Sequence, residues 1–507
     1  METNHGLSGH GGTGGSGAAG SGIAGAGADA HGQRAGHWRF CYRDEDARDV
    51  RAIPAGAPPH QRVSGGPSCA GAGVGDVGGR HRAEGVDSAP AGRGYRAGIG
   101  GQHPVPHPYA AGSFSAAYLA GMAAGCYNRN AGVRGNTLVD EAGASMSRQG
   151  ILACGYYGFA NLGDEAVLAG LVHGLRQAGY TDSVTVMSAD PAHTRREHGM
   201  EAIPRTSLRE VWRTMRSSLL FVLGGGSLIQ DVTSARSVVY YLGMHTLARR
   251  ARCRIAWVGQ GIGPLRRGWA RQWTARAARQ ADAVVVRDPA SAQLLQAMGI
   301  SQVQVGADLS FLLPEADTEN GWKLLQRFGV EKNDVVIAMV PRRWAGGQVA
   351  VASLFQSLGR FAVKQCQARA VLLPMQVSRD GELIQEIASA VPEAIAMVEP
   401  LSVREVRDVL ACCRAVVGVR LHALMLAAAS GVPALAISYD PKVRAFWEPV
   451  EPKHVVEVAD VNEHVLQQRL AEVWEQQHTL RERVTAYASR QRELARRNID
   501  ALLGLAS

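Results

Sequence analysis

The sequence predicts an α/β protein of two Rossmann-like domains facing a cleft, preceded by a disordered N-terminal segment. Three observations predict it. From Gly150 onward, apolar runs of strand length alternate with helical stretches, the pattern of a parallel sheet covered on both faces. The alternation is interrupted once, by the polar stretch "EADTENGWK", and then begins again. The first 145 residues carry neither pattern. The expected divisions are residues 1–145, 146–316 and 317–507.

Residues 1–145 hold 33 of the 60 glycines, three leucines (Leu7, Leu119, Leu138) and no lysine. That leaves too little apolar area to offset the entropy of ordering, so disorder is expected. A nucleic-acid-binding arm is disfavoured, because 12 arginines face 11 acidic residues there. At Met146 the text changes to "MSRQGILACGYYGFANLGDEAVLAG", which reads as a start followed at once by a first strand. Residues 1–145 are therefore expected to derive from an upstream start site. N-terminal sequencing of the native protein checks this: a first residue at Met146 is expected, and peptides from residues 1–145 would refute it.

In the first series, "GILACGYYG", "SVTVMSAD", "SLLFVLGGG", "RIAWVGQGIG" and "DAVVVRD" read as strands, each leading into a helical pattern or a glycine turn. The series closes with "QVQVGADLSFLLP". The second series runs "DVVIAMVPRR", "RAVLLPMQ", "AVVGVR" and "ALAISYD". Roughly residues 460–505 form a charged helical stretch expected to pack across the outside.

Composition narrows the class. The net charge of +9 favours acidic ligands without naming one. Of 54 basic side chains, 49 are arginine and only 5 are lysine. The eight cysteines form no CxxC pair and no zinc-like spacing, so reduced thiols and no bound metal are expected. No basic region precedes an apolar core at the N-terminus. The most apolar stretch, Leu421 to Ser438, contains Pro433 and reads as a helix followed by a strand rather than a membrane span. A cytoplasmic protein is expected.

Ligands of open α/β sheets bind beyond the carboxyl ends of the strands. After the first strand, "GYYGFANLGDEA" places Asn161, Gly163 and Asp164 at a helix start. Glycines there let backbone N–H groups approach an anion, although turn chemistry alone also accounts for them. Neither G-x-G-x-x-G nor a Walker loop is present, against NAD and P-loop readings. In "FVLGGGSLIQD", Gly224, Gly225 and Gly226 imply either a close approach or a tight turn. "GQGIGPLRR" sets Arg266 behind glycines, and "VVVRDPAS" ends a strand with Arg287 and Asp288. Those two form either a structural ion pair or a fork for a carboxylate or phosphate. Two neighbouring parallel strands, "AVVGVRLHAL" and "VPALAISYDPK", would present Arg420 and His422 beside Tyr439, Asp440 and Lys442. A lone histidine there reads as a core residue. Grouped with Arg420 and Lys442, His422 becomes the proton-exchanging member of an anion pocket.

The motifs "GYYGFANLGDEA", "GGGSLIQD", "GQGIGPL", "VRDPAS", "GVRLHAL" and "SYDPKVRAF", in this order, resemble the polysaccharide pyruvyl transferase family, most of all its CsaB-type members. The resemblance spans about Gly150 to Phe446, and residues 1–145 have no part in it. It implies a two-domain fold similar to GT-B glycosyltransferases. The implied reaction passes the pyruvyl unit of phosphoenolpyruvate to a sugar diol of a cell-wall polysaccharide precursor, forming a cyclic ketal and releasing phosphate. The implied acceptor is N-acetylmannosamine, and the ketal would serve S-layer anchoring. Phosphoenolpyruvate is a substrate, so no cofactor is implied. A lipid-linked saccharide acceptor would bring peripheral contact with the inner membrane leaflet. The family's catalytic histidine and lysine fall on His422 and Lys442, while its donor arginine is left open among Arg287, Arg420 and Arg266. Asp164 is assigned as base on the sugar hydroxyl. Gly224, Gly225 and Gly226 go with the donor, and Asn161, Gly163, Tyr439 and Asp440 with the acceptor.

Two rivals remain. One is a GT-B glycosyltransferase using a nucleotide sugar. The other is a non-catalytic polyanion-binding protein, disfavoured because no basic patch interleaved with aromatics stands out, and nucleic acid is not expected as a partner.

Overall fold

The computed structural model describes residues 137–139, 145–232, 234–344 and 350–507. Of the residues 1–145 expected to be disordered, all but 137–139 and 145 lie outside the described residues. Thr137–Val139 (β1) pairs antiparallel with Ser145–Ser147 (β2), so the boundary expected after residue 145 falls inside β2.

The two series of strands form two parallel sheets. The first contains β3 (Ile151–Tyr157), β4 (Val184–Ser188), β5 (Glu201–Pro204), β6 (Leu220–Ile229), β7 (Arg254–Ile262), β8 (Ala283–Val286) and β9 (Gln304–Val305), in the order β5-β4-β3-β6-β7-β8-β9. The second contains β10 (Val336–Val340), β11 (Arg369–Leu372), β12 (Ile395–Ala396), β13 (Ala415–Gly418), β14 (Ala434–Ser438) and β15 (Val455–Glu457), in the order β12-β11-β10-β13-β14-β15. Helices alternate with the strands. The central strands are buried on both faces, with all five residues of β10 and of β14 buried, which is why they read as unbroken apolar runs. β5, β12 and β15 escaped the sequence reading. Each is short and lies at a sheet edge, where less apolar cover is required.

The triple glycine departs from expectation. The glycines do not form a tight turn between elements: β6 continues through them to Ile229, and the next helix begins at Ala235. Gly225 and Gly226 take φ of 70° and 75°, a region disfavoured for residues with a Cβ. What comes close is the protein itself. A Cβ on Gly225 would stand 2.2 Å from Val167 Cγ1, and one on Gly226 would stand 3.1 Å from Asp164 Oδ1.

Val167 and Asp164 belong to the first helix, Leu162–Gln177. Its Gly163, Gly170 and Gly174 fall near one face, since seven residues make almost two turns. A Cβ on Gly170 would lie 1.9 Å from Leu309 O, so that glycine lets the chain leaving the first sheet run against the helix. One apolar cluster continues from Leu171 and Val222, through Leu309 and Phe311, to Leu424 and Ala436 of the second half.

The final helix, Gln477–Ala506, is not merely an outer covering. It returns to the first sheet, where fully buried Asn498 accepts from Gly259 N (2.7 Å) and donates to Ala307 O (3.1 Å) and Ala495 O (2.9 Å). Asn498→Ala would leave a buried N–H and a buried carbonyl unpaired. The expected cost is about 2–4 kcal/mol, read as a lower urea midpoint at unchanged slope. An unaltered midpoint would contradict this account of the helix.

Candidate active site

The carboxyl ends of both sheets meet around one buried carboxylate. Asp308 directly precedes a turn of 3₁₀ helix, Leu309–Leu312, that follows the last strand of the first sheet. Its Oδ1 accepts from Ser310 N at 3.0 Å. Its Oδ2 stands 3.7 Å from Arg287 Nη1 and 3.5 Å from His422 Nε2. The second contact is a close approach rather than an aligned hydrogen bond, for both Oδ2 and Nε2 lack a hydrogen-bond partner. Burial opposes the charge on Asp308, but His422, Arg287 and the Ser310 N–H overcome it and hold the carboxyl well below its usual range.

Arg287 follows β8 and is buried, with Nε donating to Asp288 Oδ2 at 3.2 Å. A Cβ on Gly261 would come within 2.5 Å of Arg287 Nη2, so that glycine admits the guanidinium. Asp288 caps the next helix through Ser291 N, at 2.8 Å. The Arg287–Asp288 pair thus holds a structural ion pair and also points a guanidinium at Asp308.

His422 and Lys442 come from neighbouring parallel strands, β13 and β14. Each stands four residues past its strand end, in the first turn of the following helix. Arg420 precedes the helix Leu421–Ala429, with His422 in its first turn. Asp440 caps the helix Pro441–Trp447 by accepting from Lys442 N at 3.0 Å. A cation in a first helical turn is disfavoured by the helix dipole, so an anion bound there would offset both unfavourable placements. Burial lowers the proton affinity of Lys442, Arg287 lowers it further, and Asp440 and Asp288 restore part of it. Among the described residues, no carboxylate lies within ion-pairing distance of the Lys442 amine.

The first helix closes the group. A Cβ on Gly163 would lie 2.3 Å from His422 Nδ1, so the imidazole rests against the helix where its backbone is bare. Asp164, one residue on, is raised to about 6, chiefly by burial and further by Glu165 and Asp308, against the opposing effects of His422 and Asn161. Asn161 donates from Nδ2 to Asp164 Oδ2.

The remaining predicted residues stand apart from this cluster. Arg420 is buried and committed to Asp380, with Nη2 2.8 Å from each carboxylate oxygen and Nε without a hydrogen-bond partner. Asp380 also accepts from Met375 N and Gln376 N, while Gln376 Nε2 donates to Phe159 O and Leu162 N donates to Met375 O. This chain of bonds ties the second sheet to the loop after β3. Arg266 is exposed, with its backbone N–H held by Asp231 Oδ1 at 2.7 Å. Tyr439 is exposed. Gly224 packs against Tyr157, whose hydroxyl donates to Gly224 O.

Two acidic residues that organise the site, Asp308 and Asp380, were absent from the sequence reading. Asp308 had a signal: a single acid inside the apolar run "VGADLSFLLP". Asp380, in a helix's first turn, had none.

The carboxyl ends of two parallel α/β sheets thus present Arg287 and His422 to one buried carboxylate, the arrangement of an α/β enzyme with its site at the strand ends. Residues 161–441 match the family polysaccharide pyruvyl transferase. The match covers more than half of the chain, which belongs to that family and is an enzyme of polysaccharide pyruvylation. No curated protein matches the sequence. Solved structures match distantly. UDP-GlcNAc 2-epimerase from Neisseria meningitidis, bound to UDP-GlcNAc, is 11% identical with a TM-score of 0.49, over 70% of this chain and 100% of that one. A glycosyltransferase from Rickettsia africae ESF-5 is 11% identical with a TM-score of 0.45, over 71% and 96%. At such values neither bears on the reaction.

Gly163→Ala tests the contact between the first helix and His422. The added methyl should cost about 1–3 kcal/mol of stability. Because the imidazole must move, kcat should fall about 100-fold. Urea unfolding and steady-state kinetics on one preparation separate the two, and an unchanged kcat would remove His422 from its assigned place.

Proposed function

We propose that the enzyme transfers the pyruvyl group of phosphoenolpyruvate to a sugar diol of a cell-wall polysaccharide precursor. The observation that carries this reading is the meeting of Arg287 and His422 at buried Asp308, with Lys442 close enough to Arg287 to feel its charge. Phosphoenolpyruvate bears a carboxylate and a phosphate, and three cationic or titratable groups suit it. The geometry favours Arg287 over Arg420 and Arg266 as the donor arginine: it shares Asp308 with His422 and its charge reaches Lys442, whereas Arg420 is occupied by Asp380.

Ketal formation requires a proton on the methylene carbon, attack of two sugar oxygens on the adjacent carbon, and rupture of its bond to the phosphate oxygen. The two hydroxyls lose two protons; one replaces that given to the methylene, and the other leaves with the phosphate. His422 moves the proton, held in orientation by Asp308. Lys442 and Arg287 neutralise the departing phosphate. Asp164 accepts from a sugar hydroxyl, which its position near neutrality suits. The acceptor proposed is N-acetylmannosamine on a lipid carrier, in the CsaB manner, with the product serving S-layer attachment.

His422→Ala and Lys442→Ala should each remove roughly 2–4 kcal/mol of transition-state stabilisation, measured as phosphate released from phosphoenolpyruvate. Since Asp164 acts ionised and titrates at about 6, kcat/KM should rise as pH passes that value, and Asp164→Asn should abolish the rise. Near wild-type pyruvylation by both alanine variants would defeat the assignment. Nucleoside diphosphate released from a nucleotide sugar would support the glycosyltransferase rival instead.

A further inference from the structure

Between the buried Asp231 and the exposed Asp282 the chain carries ten arginines and no aspartate or glutamate over residues 232–281. Along the chain its arginines are spread over two helices, one strand and the segments between them. The structure gathers part of it. The helices Ala235–Arg250 and Gly268–Ala278 pack side by side against the first sheet. They begin where β6 and β7 end, at the edge that carries the candidate active site. Asp231 joins the two loops, accepting from Arg266 N and Arg267 N, both at 2.7 Å, and pairing with the Arg267 guanidinium. Val232 follows it and is 46% exposed, and Trp269 on the neighbouring helix is 42% exposed. These are two of four exposed large hydrophobic residues among the described residues. Trp273, one turn on, is half-buried beneath Trp269, ring centroids 6.5 Å apart. Arg236, Arg271 and Arg276 are exposed, and no described carboxylate lies within ion-pairing distance of them.

We infer that this edge is a docking surface for an anionic lipid bilayer. Tryptophan and a β-branched apolar residue set among arginines have the chemistry of the headgroup boundary, where an indole buries its ring and arginines meet phosphates. A soluble acidic partner would not require the exposed tryptophan. No helix among the described residues is long and apolar enough to cross a membrane, so the contact is peripheral. Docking here turns the carboxyl ends of β6 and β7, and with them the cleft, toward the membrane surface. The inference does not depend on which donor the active site takes.

Flotation of the full chain with phosphatidylcholine vesicles, with and without one third phosphatidylglycerol, tests it. Binding is expected only to the anionic vesicles, with a blue shift of tryptophan emission, and should be lost as salt rises from about 0.1 to about 0.5 M. Trp269→Ser combined with Arg271→Glu should lower partition at least tenfold, while release of phosphate with a water-soluble acceptor stays within twofold of wild type. Arg271→Lys, which keeps the charge and the fold, should retain binding. Absence of binding, equal binding to neutral vesicles, or full binding by the double variant overturns the proposal. So does preferential capture by transfer RNA over the anionic vesicles, which would assign the patch to nucleic acid.

Discussion

A carboxylate withdrawn from water must find cations, and Asp308 finds one from each half of the molecule. Arg287 reaches it from the end of β8, and His422 reaches it from the helix after β13. Leaving either cation out would strand a buried charge, at a cost of several kcal/mol. Because Asp308 lies on the chain as it leaves the first sheet, its demand for partners determines how the second sheet's strand ends are presented. The imidazole is held near the guanidinium by a shared carboxylate.

This arrangement rests on missing side chains. The imidazole can lie against the first helix only because Gly163 is bare, and the Asp308 turn can follow the same helix only because Gly170 is bare. The same helix supplies Asp164 beside Gly226. Close packing therefore explains both the glycine usage and the electrostatics: burial beside two other acids pushes Asp164 up against the pull of His422, while direct pairing pulls Asp308 down. Two acids of the same type thus reach opposite protonation behaviour a few ångströms apart, the usual basis for dividing acid and base work.

The scarcity of lysine takes on meaning in this setting. Arginine forms the planar, fixed pairs: Arg287 with two carboxylates, Arg420 with both oxygens of Asp380. Lys442 has no such partner among the described residues and carries its charge on a flexible stem, which would suit the proposed role beside a departing phosphate.

The two α/β series were legible from the order of residues alone, because central parallel strands must be apolar on both sides and so leave unbroken runs such as "VVIAMV" and "ALAIS". That His422 and Lys442 follow neighbouring strands was legible too, since each comes four residues after the end of an apolar run. The edge strands, the passage of β6 through its glycines and the return of the last helix to the first sheet were not, for each depends on contacts distant in the chain. Which arginine faces the cluster is likewise a matter of depth and angle: Arg287 and Arg420 are both buried at strand ends, and only the location of Asp308 and Asp380 assigns them different tasks. Local composition determines what a segment can become. Which charges share a low-dielectric space is decided by the assembled protein, because only there are they taken out of water together.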